Sequence, residues 1–129
     1  MKNIFTLGSL LFILLASAFK PANRGLDDVI AALNSGNATE LAKYVDDTIE
    51  IGLPDKTDTY SKAQALMIFR DFFANTGVRS FETKHQGDNA GRQFCIGTLH
   101  TRNGDYRTTV FMTSKSGKQL VKEIRLQEM

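Results

Sequence analysis

The last 52 residues, 78 to 129, constrain this chain most, because they show no helical period and turn-forming residues divide them into four runs of strand length. The runs lie near 78–86, 92–101, 105–114 and 118–127, with breaks at Gly87 to Gly91, at Asn103-Gly104 and at Ser116-Gly117. Breaks this short cannot hold a helical crossover, so successive strands must pair antiparallel. Asn103-Gly104 reads as the tightest hairpin, a type I′ turn with positive φ at both residues.

Helical periods come before this meander. Leu26, Val29, Ile30 and Leu33 recur at helical spacing, with Asp27 and Asp28 in the first turn, where the helix dipole favours negative charge. Ser35-Gly36 stops that helix. Asn37 caps a second one, with Glu40 placed to reach back and Leu41, Tyr44 and Val45 as its apolar stripe. From Thr48 the period becomes two, with Ile49, Ile51 and Leu53 on one face; Pro54-Asp55-Lys56 turns the chain, and Thr57 to Tyr60 returns. Ser61 and Gln64 form a capping box that opens the longest helix, which runs to about Asn75 and ends at Gly77. Its apolar residues Ala65, Leu66, Ile68, Phe69, Phe72 and Phe73 exceed one narrow stripe, so it is expected to be nearly enclosed. The fold class is therefore α+β, a curved antiparallel sheet wrapped around a long helix.

The N-terminus reads as an address. Met1-Lys2-Asn3 is a positive leader ahead of Ile4 to Leu15, in which nine of twelve residues are large and apolar, too short a run to span a bilayer comfortably. Ala16 and Ala18 supply the small residues that signal peptidase reads, so residues 1–18 are expected to be a cleaved signal peptide, with export to the periplasm or beyond and no stable membrane anchor afterwards. Residues 19–129 then form one domain carrying 15 basic and 14 acidic side chains without a block of like charge, which argues against a nucleic-acid surface. Cys95 is the single cysteine; an intramolecular disulfide is impossible, and a packed, unreactive thiol is expected.

The order of elements resembles the cone-shaped fold of the nuclear transport factor two-like superfamily, on the Ile49 to Leu53 strand, the Tyr60-Ser61-Lys62 approach to the long helix, the Asp71-Phe72-Phe73 helix end and the meander. More narrowly, the chain is similar to the exported bacterial proteins grouped as domain of unknown function 4783. That likeness rests on Phe81-x-x-x-His85-x-Gly87, Ile96-Gly97-Thr98-Leu99 and Glu123-Ile124-Arg125-Leu126. It implies a curved sheet whose concave side can hold a pocket, often in a dimer, and it implies no activity.

Candidate chemistry is sparse. Alternation puts His85 on the strand face of Phe81 and Thr83, towards the interior, where an enclosed imidazole can act as acid or base. A core histidine bonded to backbone is the preferred reading, and on it His85→Gln costs about 1–3 kcal/mol. His100 lies near a turn and reads as solvated, and the two histidines lack metal-ligand spacing, so neither metal nor cofactor is expected. Asp46, Asp47 and Glu50 read as a solvated helix end and first strand rather than an acid/base pair. Tyr60 can donate a pocket hydrogen bond or pack as a staple. Lys84, Arg107, Lys122 and Arg125, mixed with Glu82, Asp105 and Glu123, fit a solvated or dimer-facing surface.

These features favour a non-catalytic exported module that binds a small apolar ligand or a protein partner, with Tyr60, Phe69, Phe73, Phe81 and His85 as the pocket candidates and a homodimer through the sheet compatible with it. The alternative is a small enzyme of isomerase or dehydratase type doing acid/base chemistry on a small hydrophobic substrate, with His85 and Tyr60 as operators. A third reading is a purely structural or interaction subunit with a filled core and no cavity; an inner cavity lined by Phe69, Phe73, Phe81 and His85 supports binding or catalysis over it, and a carboxylate within hydrogen-bond reach of His85 favours the enzyme.

Overall fold

A computed structural model describes residues 24–129; the leader read over residues 1–18 and its cleavage point lie outside them. Helix α1, Arg24–Ser35, buries Leu26, Val29 and Leu33 on one face. Asn37 caps helix α2, Ala38–Lys43, by accepting the Glu40 N–H at 3.1 Å. The Glu40 carboxylate does not complete the expected box, because it pairs with Lys43 at 2.7 Å. Helix α2 is also shorter than its apolar spacing implies. Tyr44 is its C-cap and Val45 already begins strand β1, Val45–Leu53. The sheet takes this backbone: the Val121 N–H donates to the Tyr44 carbonyl at 2.6 Å, and Val45 lies in register with Val121.

Strand β2, Lys56–Ser61, returns antiparallel to β1. Ser61 then opens helix α3, Lys62–Thr76, with both halves of the capping box formed: Ser61 Oγ accepts the Gln64 N–H at 3.2 Å and Gln64 Oε1 accepts the Ser61 N–H at 2.9 Å. This helix is less enclosed than its composition implies. Ala65, Phe69, Phe73 and Thr76 are buried, whereas Leu66, Ile68 and Phe72 are only half-buried and Met67 is 53% exposed. The enclosing work is shared, since α1 lies on β3, β4 and β6 while α3 lies on β1 and β2 and against α2.

Strands β3 (Val78–Asn89), β4 (Arg92–Thr101), β5 (Gly104–Lys115) and β6 (Lys118–Glu128) form the antiparallel meander. The six strands make one curved sheet in the order β2-β1-β6-β5-β4-β3. One pairing departs from the antiparallel pattern, because β1 lies parallel to β6, with Ile51 beside Ile124. The turns also differ from expectation. Positive φ occurs at both residues of Ala90-Gly91 (55° and 82°) and Ser116-Gly117 (52° and 77°), so these are the type I′-like hairpins. Between β4 and β5 the turn residues are Arg102 and Asn103, and Gly104 already pairs with Thr101. Asn103 is held elsewhere, its side-chain amide donating to the Asn75 carbonyl at 2.9 Å at the end of α3.

The core lies between the helices and one face of the sheet. Phe69, Leu33, Leu41, Ile49, Ile51, Leu99, Val110, Ile124 and Leu126 are all completely buried there. Gly97 is required by close approach: the Phe81 ring lies over it, and a Cβ added at Gly97 would meet that ring at 2.5 Å. Phe69→Ala is expected to cost about 3–5 kcal/mol through the cavity it leaves, and Met67→Ala less than about 0.5 kcal/mol. Denaturant unfolding of the two variants checks the contrast.

Candidate functional site

The aromatic residues proposed to line an interior pocket instead fill it. Phe69 and Phe73 stack with ring centroids 6.2 Å apart, Phe72 sets its edge to Phe73 at 6.3 Å, and Tyr106 of β5 closes on Phe72 at 5.1 Å. Phe81 joins the same core. Tyr60 is half-buried on β2 opposite Ile49 and packs at the margin of that core. Phe69, Phe73 and Phe81 are therefore brought together as packing, and His85 is not among them.

His85 is exposed, which corrects its interior placement. Phe81 pairs with Leu99 and Thr83 with Gly97, as alternation requires, but the register shifts between Thr83 and His85 and sets His85 opposite Ile96 instead of Cys95. This bulge at Lys84 turns His85 to the outer face of the sheet, where its ring sits 6.0 Å from that of Phe94. Its replacement by Gln therefore no longer carries the cost of a lost core hydrogen bond. Among the described residues no carboxylate bonds to His85, while Cys95 is fully buried in the core and burial pushes its thiol up to about 11.

On that outer face Phe94 lies directly across from Phe111 of β5, and with Ile96 the two rings form the floor of a groove of about 680 Å³. Phe94 and Ile96 are half-buried, and Phe111 is 40% exposed. The rim carries both signs: Arg92 and Lys122 against Asp46 and Glu123. Asp46 belongs to β1 rather than to a solvated helix end, and it is buried. The Asp47 backbone N–H, donating at 2.8 Å, holds its carboxyl below the ordinary range; burial opposes this, and Lys115 at 3.2 Å and Lys122 at 3.7 Å reinforce it. A carboxylate held ionised in this way is a structural anchor and not half of a proton-sharing pair.

The histidine that does meet carboxylates is His100. Its Nδ1 lies 2.9 Å from Asp105 and its Nε2 3.4 Å from Glu82, which Lys84 approaches at 3.0 Å. The sequence reading missed this cluster because of the hairpin register. A turn at Asn103-Gly104 would put Arg107 opposite His100, whereas the actual turn at Arg102-Asn103 puts Asp105 there. Asp105 and then Glu82 raise the His100 pKa above its ordinary 6.5. The cluster lies open on the sheet surface, so it braces the β3–β4–β5 edge and encloses no substrate.

A raised folded pKa means that His100 adds stability in full below its unfolded value, and that this addition fades as pH rises through the folded value. Between about pH 5.5 and about pH 8.5 the stability of the protein should therefore fall by more than that of His100→Gln. Denaturant midpoints measured across that range test this, with equal pH slopes as the contrary result.

Residues 26–127 match the family described as "Domain of unknown function (DUF4783)". A solved member from Bacteroides uniformis is 33% identical, with a TM-score of 0.77 over 80% of this chain and 95% of that one. Another, from Bacteroides ovatus, is 30% identical with a TM-score of 0.77, covering 79% of this chain and 93% of the other. A nuclear transport factor two-like protein of unknown function from Cytophaga hutchinsonii, 8% identical, shares the fold alone, with a TM-score of 0.62 over 86% of this chain and 92% of that one. No curated protein matches. With the family match spanning nearly the whole described chain, and the helices, curved sheet and meander in the order just described, the protein belongs to the domain of unknown function 4783 family and has the nuclear transport factor two-like fold.

Proposed function

We propose that the protein is an exported, non-catalytic binding module that works through the outer face of its sheet, and that a second copy of the chain occupies that face. The observation that carries this reading is the directly paired Phe94, half-buried, and Phe111, 40% exposed, beside Ile96 and His85 on the outer face. Two features favour a like partner. The groove holds two cations and two carboxylates, so it sets no net charge against its own two-fold copy. Its aromatic pair supplies the central, desolvated anchors on which such contacts depend. Export is supported by the charged leader, the apolar run and the small residues at Ala16 and Ala18.

The rival readings have less under them. A small apolar ligand inside the cone has the rings of Phe69, Phe73 and Phe81 in its place. Acid/base chemistry would rest on His85, which has neither enclosure nor an orienting carboxylate among the described residues.

Sedimentation of the protein and of Phe111→Ser tests the proposal. The parent should be a dimer and the variant a monomer, or weaker by about tenfold or more in self-association, while still unfolding in one cooperative transition. A monomeric parent, or a variant that dimerises equally well, would overturn it.

A further inference from the structure

The described residues carry fourteen basic and fourteen acidic side chains, and five of the cations form ion pairs with carboxylates. Lys43, Lys84, Lys115, Lys122 and Arg125 all form such pairs. Arg70, Arg79 and Arg102 form none, and all three line one cleft of about 810 Å³ that contains no carboxylate. Among residues whose formal charges otherwise balance, this is a local excess of three cations facing one space whose lining holds no carboxylate.

The fold brings the three together from separate elements. Arg70 stands on α3 one turn before Phe73 and Ala74. Arg79 lies at the register shift between Val78 and Ser80, where β3 leaves regular pairing with β4. Arg102 is fixed at the β4–β5 turn, which docks on the end of α3: the Arg102 N–H donates to the Gly77 carbonyl at 2.9 Å and the Asn103 N–H to the Thr76 carbonyl at 3.3 Å. Its guanidinium then lies across Gly77, whose φ of +72° and missing side chain both matter, since an added Cβ would meet Arg102 Nε at 2.5 Å. One arginine is thus held by a docked turn, while Ala74 and Val78 supply apolar surface to the same cleft.

We infer that this cleft is a binding site for a small organic acid, whose carboxylate the arginines take and whose apolar body lies on Ala74 and Val78. Guanidinium groups match carboxylate geometry in a planar, bidentate way. The apolar wall distinguishes such a ligand from a bare inorganic oxyanion, which would leave that wall in water. The site lies on the helix side of the sheet and does not rest on the dimer reading.

Three probes of the full chain by amide NMR titration separate the contributions: benzoate, uncharged benzyl alcohol, and inorganic phosphate. Benzoate should bind saturably with shifts centred on Gly36, Gly77, Arg79 and Arg102, more tightly than either of the others, and should weaken with added salt. Arg79→Gln with Arg102→Gln should weaken it by about tenfold or more, while Lys56→Gln leaves it unchanged and both proteins keep the parent melting temperature. Should the double variant lose stability, Arg70→Gln on the exposed helix surface gives the same test singly, with a smaller loss of affinity. Absence of saturable benzoate shifts, equal binding of benzyl alcohol or phosphate, or undiminished binding by the arginine variants would each overturn the inference. A failure here leaves the sedimentation result untouched, so the two proposals fall separately.

Discussion

The aromatic wedge between helix α3 and the sheet governs the rest of this molecule. Phe69 and Phe73 stack along the helix, Phe72 packs edge-on with Phe73, and Tyr106 meets Phe72 from the sheet. Fully burying a ring such as Phe69 stabilises the fold by about 1.5–3 kcal/mol, and these rings occupy the space between helix and sheet. The same residues cannot both close that interior and line a pocket in it. With that interior closed, the two surfaces proposed above for binding are the outer sheet face and the cleft that Arg70, Arg79 and Arg102 line.

Both places depend on single-residue departures from regular sheet. The bulge at Lys84 moves His85 from the core face to the Phe94 face, and the shift between Val78 and Ser80 lies where Arg79 reaches the cleft. The β4–β5 turn one residue earlier than the Asn-Gly pair sets His100 against Asp105 and presents Arg102 to α3. At Lys84 the strand absorbs the shift without loss of the ladder, and His85 is the side chain that changes face.

This explains what could be read from the sequence and what could not. Ser61 and Gln64 announce the start of α3 because capping is local, needing only four residues and two hydrogen bonds. The four meander strands are legible for the same reason, since alternation and turn residues are properties of neighbours. The Asn103-Gly104 signal failed because the Asn103 amide finds the Asn75 carbonyl, twenty-eight residues away, and that bond outweighs the local preference for a type I′ turn. The parallel contact of β1 with β6 is likewise a long-range choice, as Val45 and Val121 have no local signal joining them. The arginine cleft was invisible for a stronger reason: residues 70, 79 and 102 come from a helix, a strand and a turn, and only docking makes them neighbours.

Charge makes the final distinction between the two surfaces. On the outer face Lys122 and Asp46 stand within 3.7 Å, and Glu123 pairs with Arg125, so its polar groups are largely neutralised before anything binds. A partner there gains mainly from covering Phe94 and Phe111, and salt should affect it little. In the cleft the three guanidinium groups remain unneutralised, and a ligand gains mainly by supplying the missing negative charge, a contribution that screening weakens. The sheet lies between the two surfaces, so occupation of one leaves the other accessible. A dimer formed through the outer face would then carry two arginine clefts, one on the far side of each copy, both open to a small acid.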